Sequence, residues 1–319
     1  MHSRQLRAGG NVSHCKSCRW IVIWSMWLLC SSASAGEQII CCGAERVFIL
    51  ELSESLREAS EPKPVWTWTA EDSEAIPKSA RSTFASTDEC KPYVDSILIT
   101  SSSGGVALIR REDKVCEFFT TAKNAHSACL LPNSMVAVAS SFGGDELLLY
   151  KLMPPAGKAA EPIAKIPLHG AHGVVWDVRR KCLWALGSDE LLCLEMKVEN
   201  DKAQLEVQTR LALPKPGGHE LSQTSDPDWM IVSTDNHVYA FNIELVRFMP
   251  FKELANAAKV KSVSTHPMTG EVVYHQGAKT TWWSDRIRFL GERESIQLPG
   301  ERLYKIRWDV PVFRWKNLR

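Results

Sequence analysis

Apolar and polar residues along this chain alternate in short stretches, and the stretches come in a unit that recurs six times. Residues 38–52, 96–111, 135–152, 182–196, 229–243 and 271–285 each read as a strand, a tight turn and a second strand. Branched and aromatic residues fill the strand positions, and Gly, Ser, Asn or Asp marks the break. A looser connection leads from each unit to a third strand; in the first unit this is the stretch 65–68, after which residues as far as 86 read as a surface excursion. Each unit is a β-meander with apolar surface it cannot bury alone, so the units must stack on one another.

Before five of the units lies one more short strand, at 90–92, 126–132, 172–178, 219–225 and 261–267. The first unit lacks such a strand, while the chain ends on an unmatched one at 303–308. Pairing that last strand with the first unit closes a ring and leaves no inner sheet edge bare. The prediction is an all-β fold: a six-bladed β-propeller closed by pairing of the C-terminal strand with the N-terminal blade. The residues that lead these strands, Lys91, His126, His172, His219, Lys261 and Lys305, lie 35, 46, 47, 42 and 44 residues apart, close to the ~40–50 of a propeller blade.

The N-terminus changes the picture of where the protein works. Arg4, Arg7, Lys16 and Arg19 precede an apolar run from Trp20 to Leu29, and Ala33-Ser34-Ala35 follows. A basic segment, an apolar stretch too short to span a bilayer and a small-residue cleavage site read as a secretory signal over 1–35, with 36–319 as a single propeller domain. The expected location is secreted or periplasmic, without membrane contact after cleavage. Loss of residues 1–35 removes four of the 38 basic side chains and none of the 37 acidic ones, turning a formal +1 into about −3. A mildly acidic chain has no general field for nucleic acid, so no nucleic-acid partner is expected.

Seven cysteines lie beyond residue 35, an odd number, which leaves at least one unpaired. Cys182 and Cys193 flank the turn Gly187-Ser188-Asp189 and are the best disulfide candidate, set against the alternative that both are small buried apolar residues. GxSxG, HExxH, Walker and EF-hand patterns are all missing from 36–319, which weakens hydrolase and nucleotide-binding readings.

Matching register in a propeller converts sequence distance into proximity. It sets His126, His172 and His219 side by side on one rim of the central funnel, with Lys91, Lys261 and Lys305 completing the ring. Three imidazoles at a concave mouth can ligate a divalent metal, the candidate cofactor, through neutral ring nitrogens. A ring half imidazole and half ammonium would attract a carboxylate, sulfate or phosphate without a metal. The third alternative is that the histidines are structural and bond backbone groups. Tyr304 beside Lys305 could serve as a base, against the alternative of a packed tyrosine. Trp282-Trp283 are adjacent strand residues on opposite faces, which offers one indole for stacking on a sugar, against the alternative that it packs on the next blade.

The patterns Glu89-Cys90-Lys91-Pro92, Ser101-Ser102-Ser103-Gly104-Gly105 and Asn124-Ala125-His126-Ser127 resemble an uncharacterised extracytoplasmic bacterial β-propeller family within the WD40-like/YVTN-like superfamily. The resemblance covers residues 37–315 and implies fold more than activity. The functional expectation is a monomeric secreted propeller that binds an anionic small molecule or a carbohydrate in the axial His/Lys pocket. The alternatives are a metal-dependent polysaccharide lyase or hydrolase using the three histidines, and a protein-interaction scaffold.

Overall fold

The computed structural model describes residues 37–52, 63–153, 158–199 and 202–310. The secretory signal assigned to 1–35 lies outside the described residues. Six four-stranded antiparallel sheets follow one another along the chain, and the first is completed from its far end. Strand Lys305–Trp308 pairs with Gln38–Gly43, with Ile40 opposite Arg307 and Cys42 opposite Lys305. The closed ring of six blades is the one the strand pattern predicts.

Each blade is buried on both faces, which explains why its strands read as nearly continuous apolar runs. In Gln38–Gly43 and Arg46–Glu51, Ile40, Cys42, Val47 and Ile49 pack against the second blade, and Ile39, Cys41, Phe48 and Leu50 pack against the sixth. Alternation along a strand thus sends successive side chains to different neighbours rather than to core and solvent. Among the described residues, six apolar clusters fill the six gaps between adjacent blades. Each wholly buried aliphatic side chain there contributes roughly 1.5–3 kcal/mol relative to exposure.

One expectation needs correction. The described part of the excursion before residue 86 is not a surface loop: two short 3-10 turns, Ala70–Asp72 and Lys78–Phe84, carry Ile76 and Phe84 into the core between blades one and two. Phe84 meets Trp68 edge to face at 5.3 Å. Its ring also explains the glycine at 105, where an added Cβ would come within 2.7 Å of it. Isolated apolar residues among Ser, Lys and Ala lack strand periodicity, and only the groove under the outer strand gives them a place to bury.

Candidate functional site

The six inner strands are Thr87–Pro92, Ala125–Leu131, Gly173–Asp177, Glu220–Gln223, Val260–Thr265 and Lys305–Trp308. Their pairing with the next strand fixes a common register. Asp88, His126 and Lys261 each occupy an irregularity at the head of the inner strand. His172, His219 and Tyr304 take the corresponding place, each bonding through its backbone N–H to the second strand just before the regular pairing begins. The rim is therefore Asp88, His126, His172, His219, Lys261 and Tyr304.

Four of the six residues picked from spacing stand on this rim. Lys91 and Lys305 do not: Lys305 lies one residue further along its strand and Lys91 three. A signal in the sequence marks the true register. Two residues after each rim residue comes an apolar one, Cys90, Ala128, Val174, Leu221, Val263 and Ile306. Starting from Lys305 that position holds Arg307 instead, which rejects it; starting from Lys91 it holds the buried Tyr93, which does not. Asp88 and Tyr304 take the places that spacing gives to Lys91 and Lys305, and Asp235, bonded to His219, is a further contributor that spacing misses.

The rim rings form a continuous arc. Centroids are 6.0 Å apart from Tyr304 to His126, 4.3 Å from His126 to His172, 4.9 Å from His172 to His219 and 5.9 Å from His219 to Trp282. The Lys261 ammonium sits 4.0 Å over the Trp282 ring, whose indole is 48% exposed. The turns after the second strands hold these groups. Ser102 N–H donates to Asp88, Ser141 Oγ lies 3.1 Å from His172 Nδ1, and Phe142 packs on His172 at 5.6 Å.

Hydrogen bonds also set the tautomers, because a carbonyl can only accept. His126 Nδ1 donates to Asn124 O at 3.2 Å and His172 Nδ1 to Gly170 O at 2.8 Å. Gly170 adopts φ +54°, and an added Cβ would fall 2.1 Å from Ser188 Oγ, so the loop that aims His172 requires glycine. His219 is the reverse case: Nε2 bonds Asp235 Oδ1 at 2.7 Å, and its buried Nδ1 has no partner among the described residues.

Burial dominates the protonation of the rim. It pushes His219 down to about 4 against the pull of Asp235, and holds His126 low as well. His172 is held well below the usual histidine range by burial and by its two imidazole neighbours. Lys261 is brought down to about 7, again by burial first. The Asp88 carboxyl and the Tyr304 phenol are both pushed up. At neutral pH the three imidazoles are neutral donors and acceptors beside one half-protonated ammonium, not the strongly cationic ring that spacing suggests. A phenol pushed up by burial is a poor base, so Tyr304 is a wall of the site.

The expected metal set takes a different shape in space. The imidazoles meet edge to face, with interplanar angles of 60° and 80°. Among the described residues, no three His, Cys, Asp or Glu side chains form a group that could hold a metal ion.

Directly beneath the rim, charges pair across the axis. Arg307 donates through Nε and Nη2 to Glu89 at 2.6 and 2.8 Å, and through Nη1 to Glu220 at 3.0 Å. Lys305 lies 3.0 Å from Glu220 and 3.5 Å from Glu89. Lys91 is 3.8 Å from Glu89 and donates to Ser127 Oγ at 3.1 Å and to Val174 O. Burial alone would raise the Glu89 carboxyl; Arg307, Lys305 and Lys91 overrule it and hold it well below the usual carboxylate range. Below this layer, at the mouth where the inner strands end, Lys91, Val175, Trp176, Gln223, Arg307 and Trp308 help enclose a cavity of about 120 Å³.

Cys182 and Cys193 are free, half-buried thiols. Cys182 stands opposite Glu195 and Cys193 opposite Trp184, so the two are diagonal neighbours rather than a facing pair. No described helix is long and apolar enough to cross a membrane.

Comparison with known proteins agrees with this architecture and adds no activity. No curated protein matches the chain. Among solved structures it is similar to the WD40 domain of Neurospora crassa Pan2, at 10% identity over 87% of this chain and 77% of that one, with a TM-score of 0.50. At that identity the likeness is one of fold alone. Residues 44–314 match the model of DUF6528, described as a family of unknown function, and the chain belongs to that family.

Proposed function

We propose that this protein is an extracytoplasmic binding propeller whose rim takes a carbohydrate bearing an acidic group. The observation that carries the reading is the buried, unpartnered Nδ1 of His219 between the His172 ring and the exposed Trp282. An acceptor nitrogen kept from solvent without a partner is costly unless a ligand donor meets it. The indole offers a stacking face for a sugar ring, and Lys261 over that face offers a partner for a carboxylate. A mature charge of about −3 gives no long-range attraction, so the acidic group is recognised locally.

Calorimetric titration with oligogalacturonate and with a neutral oligosaccharide of equal length tests this. The acidic ligand should bind at least tenfold more tightly, and either His219→Ala or Trp282→Ala should weaken it at least tenfold. Affinity should fall by up to tenfold per unit as pH rises above about 7, where Lys261 loses its proton. A chelator should leave binding unchanged; loss of binding with chelator would favour the metal-dependent alternative. Absence of saturable binding, or variants that bind as the parent does, would sink the proposal.

A scaffold role has one observation in its favour. The outer strands of the fourth blade, Glu190–Glu199 and Lys202–Ala212, have 10 and 11 residues against five in each of its inner strands. A hairpin that outruns its blade presents a β-ribbon edge to a partner. Replacing 196–205 by a two-residue turn should abolish partner capture in that case and leave sugar binding intact.

A further inference from the structure

The charges under the rim do not cancel. Lys91, Lys305 and Arg307 face Glu89 and Glu220, three basic groups against two acidic. Two of the three, Lys91 and Arg307, also line the cavity at the mouth where the inner strands end, and among the described residues no acidic side chain lines it. The nearby carboxylates are already engaged elsewhere: Asp309 with Arg111, and Asp177 with Arg180. Of the five guanidinium hydrogens of Arg307, four meet Glu89 and Glu220; the fifth, on Nη1, has no acceptor among the described residues. A buried surplus charge with an unfilled donor calls for an anion.

Size and lining narrow the class. About 120 Å³, where one water needs ~10–15 Å³ on the same measure, is room for several waters or for one short organic acid. Val175, Leu221, Pro267 and Trp308 give the walls an apolar character unsuited to sulfate or phosphate. We propose that this mouth is a second ligand site, independent of the rim, that takes a small organic monocarboxylate. Its carboxylate is held by Arg307 and Lys91, and its hydrocarbon lies against Val175, Leu221 and Trp308.

The full-length protein titrated with butyrate, while the fluorescence of Trp176 and Trp308 is followed, tests the proposal. Butyrate should bind saturably, and the isosteric neutral butyramide at least tenfold more weakly. Lys91→Met removes the surplus charge and should cut butyrate affinity at least tenfold while bringing the amide and the acid to parity. Because Lys91 is nearly buried, Thr265→Phe, which adds bulk at a half-buried position of the lining without touching a charge, is the second variant, and it should cut butyrate affinity at least tenfold with the melting temperature kept. His219→Ala and Trp282→Ala should leave butyrate binding unchanged, which separates this site from the rim. Equal affinity for acid and amide in the parent protein, or butyrate binding unaltered by Thr265→Phe, would overturn it.

Discussion

Two rings of residues, one step apart along the same six strands, have opposite characters. The rim holds Asp88, three imidazoles, Lys261 and Tyr304, positioned by a few neutral bonds and ring contacts, with the Nδ1 of His219 left without a partner among the described residues. The ring beneath contains Glu89, Glu220 and Lys305, and with Arg307 two residues further on it spends nearly every charge on another. Arg307 reaches Glu89 in the second blade and Glu220 in the fifth from the strand that closes the first. The lower ring thus ties distant blades across the axis, while the rim keeps capacity for something outside the chain. Buried ion pairs of this kind are weak evidence for stability but costly to break on one side only.

The sharpest way to break the comparison is Arg307→Met. It leaves two fully buried carboxylates with only lysine partners, and should cost about 3–5 kcal/mol in guanidinium unfolding. Glu89→Gln in the same chain should restore part of the loss. If Arg307→Met costs no more than a rim truncation, the division between the two rings fails.

Acid should separate the rings next. His219 titrates at about 4 when folded and His275 at about 3, both below the usual 6.5. Between those values the unfolded chain binds more protons than the folded one, so stability falls as pH drops from about 6.5 toward 4, by up to ~1.4 kcal/mol per unit for each group. Glu89 acts differently: its contribution is present above the ordinary carboxylate range and is lost only as pH falls toward its much lower folded value. Unfolding measured at pH 7, 5.5 and 4 should therefore show a slope that His219→Gln reduces. An unchanged slope would mean that His219 is not buried neutral.

Rim truncation comes third. His126→Ala removes a partly exposed ring held by a single 3.2 Å bond, and should change stability by about 1 kcal/mol or less. The smallest effect concerns the thiols. Cys182→Ser should leave the melting temperature nearly unchanged. In the native protein, Cys193, held low by its hydrogen bond with Cys182, should react with a thiol reagent before Cys182, whose thiol the same bond pushes up, while Cys41, Cys42, Cys90, Cys116 and Cys129 wait for denaturant. Uniform reactivity would contradict the burial of those five.

Much of this is legible in the sequence alone. Strand alternation and turn residues carried the six blades, and the missing first strand with the unmatched last one carried the closure. The near-constant spacing of His126, His172 and His219 placed them together correctly, because consecutive blades have similar lengths. Lys91 and Lys305 were misplaced because a basic residue at about the right distance looks the same whether it sits on the rim or one or three residues deeper. The residue two positions on rejects Lys305, which Arg307 follows, but not Lys91, which the buried Tyr93 follows. The burial of Ile76 and Phe84 was not legible, since neither belongs to a periodic stretch.

Local pattern by itself determined the strands, their number and the ring they form, because alternation and turn chemistry act over a few residues and repeat. Only the tertiary structure decided which charges cancel. Glu89, Glu220 and Arg307 come from three blades separated by 87 to 218 residues, and their meeting depends on the exact register of each inner strand. The protonation of the rim was decided there too, since desolvation is a property of the closed ring and not of any one strand in it.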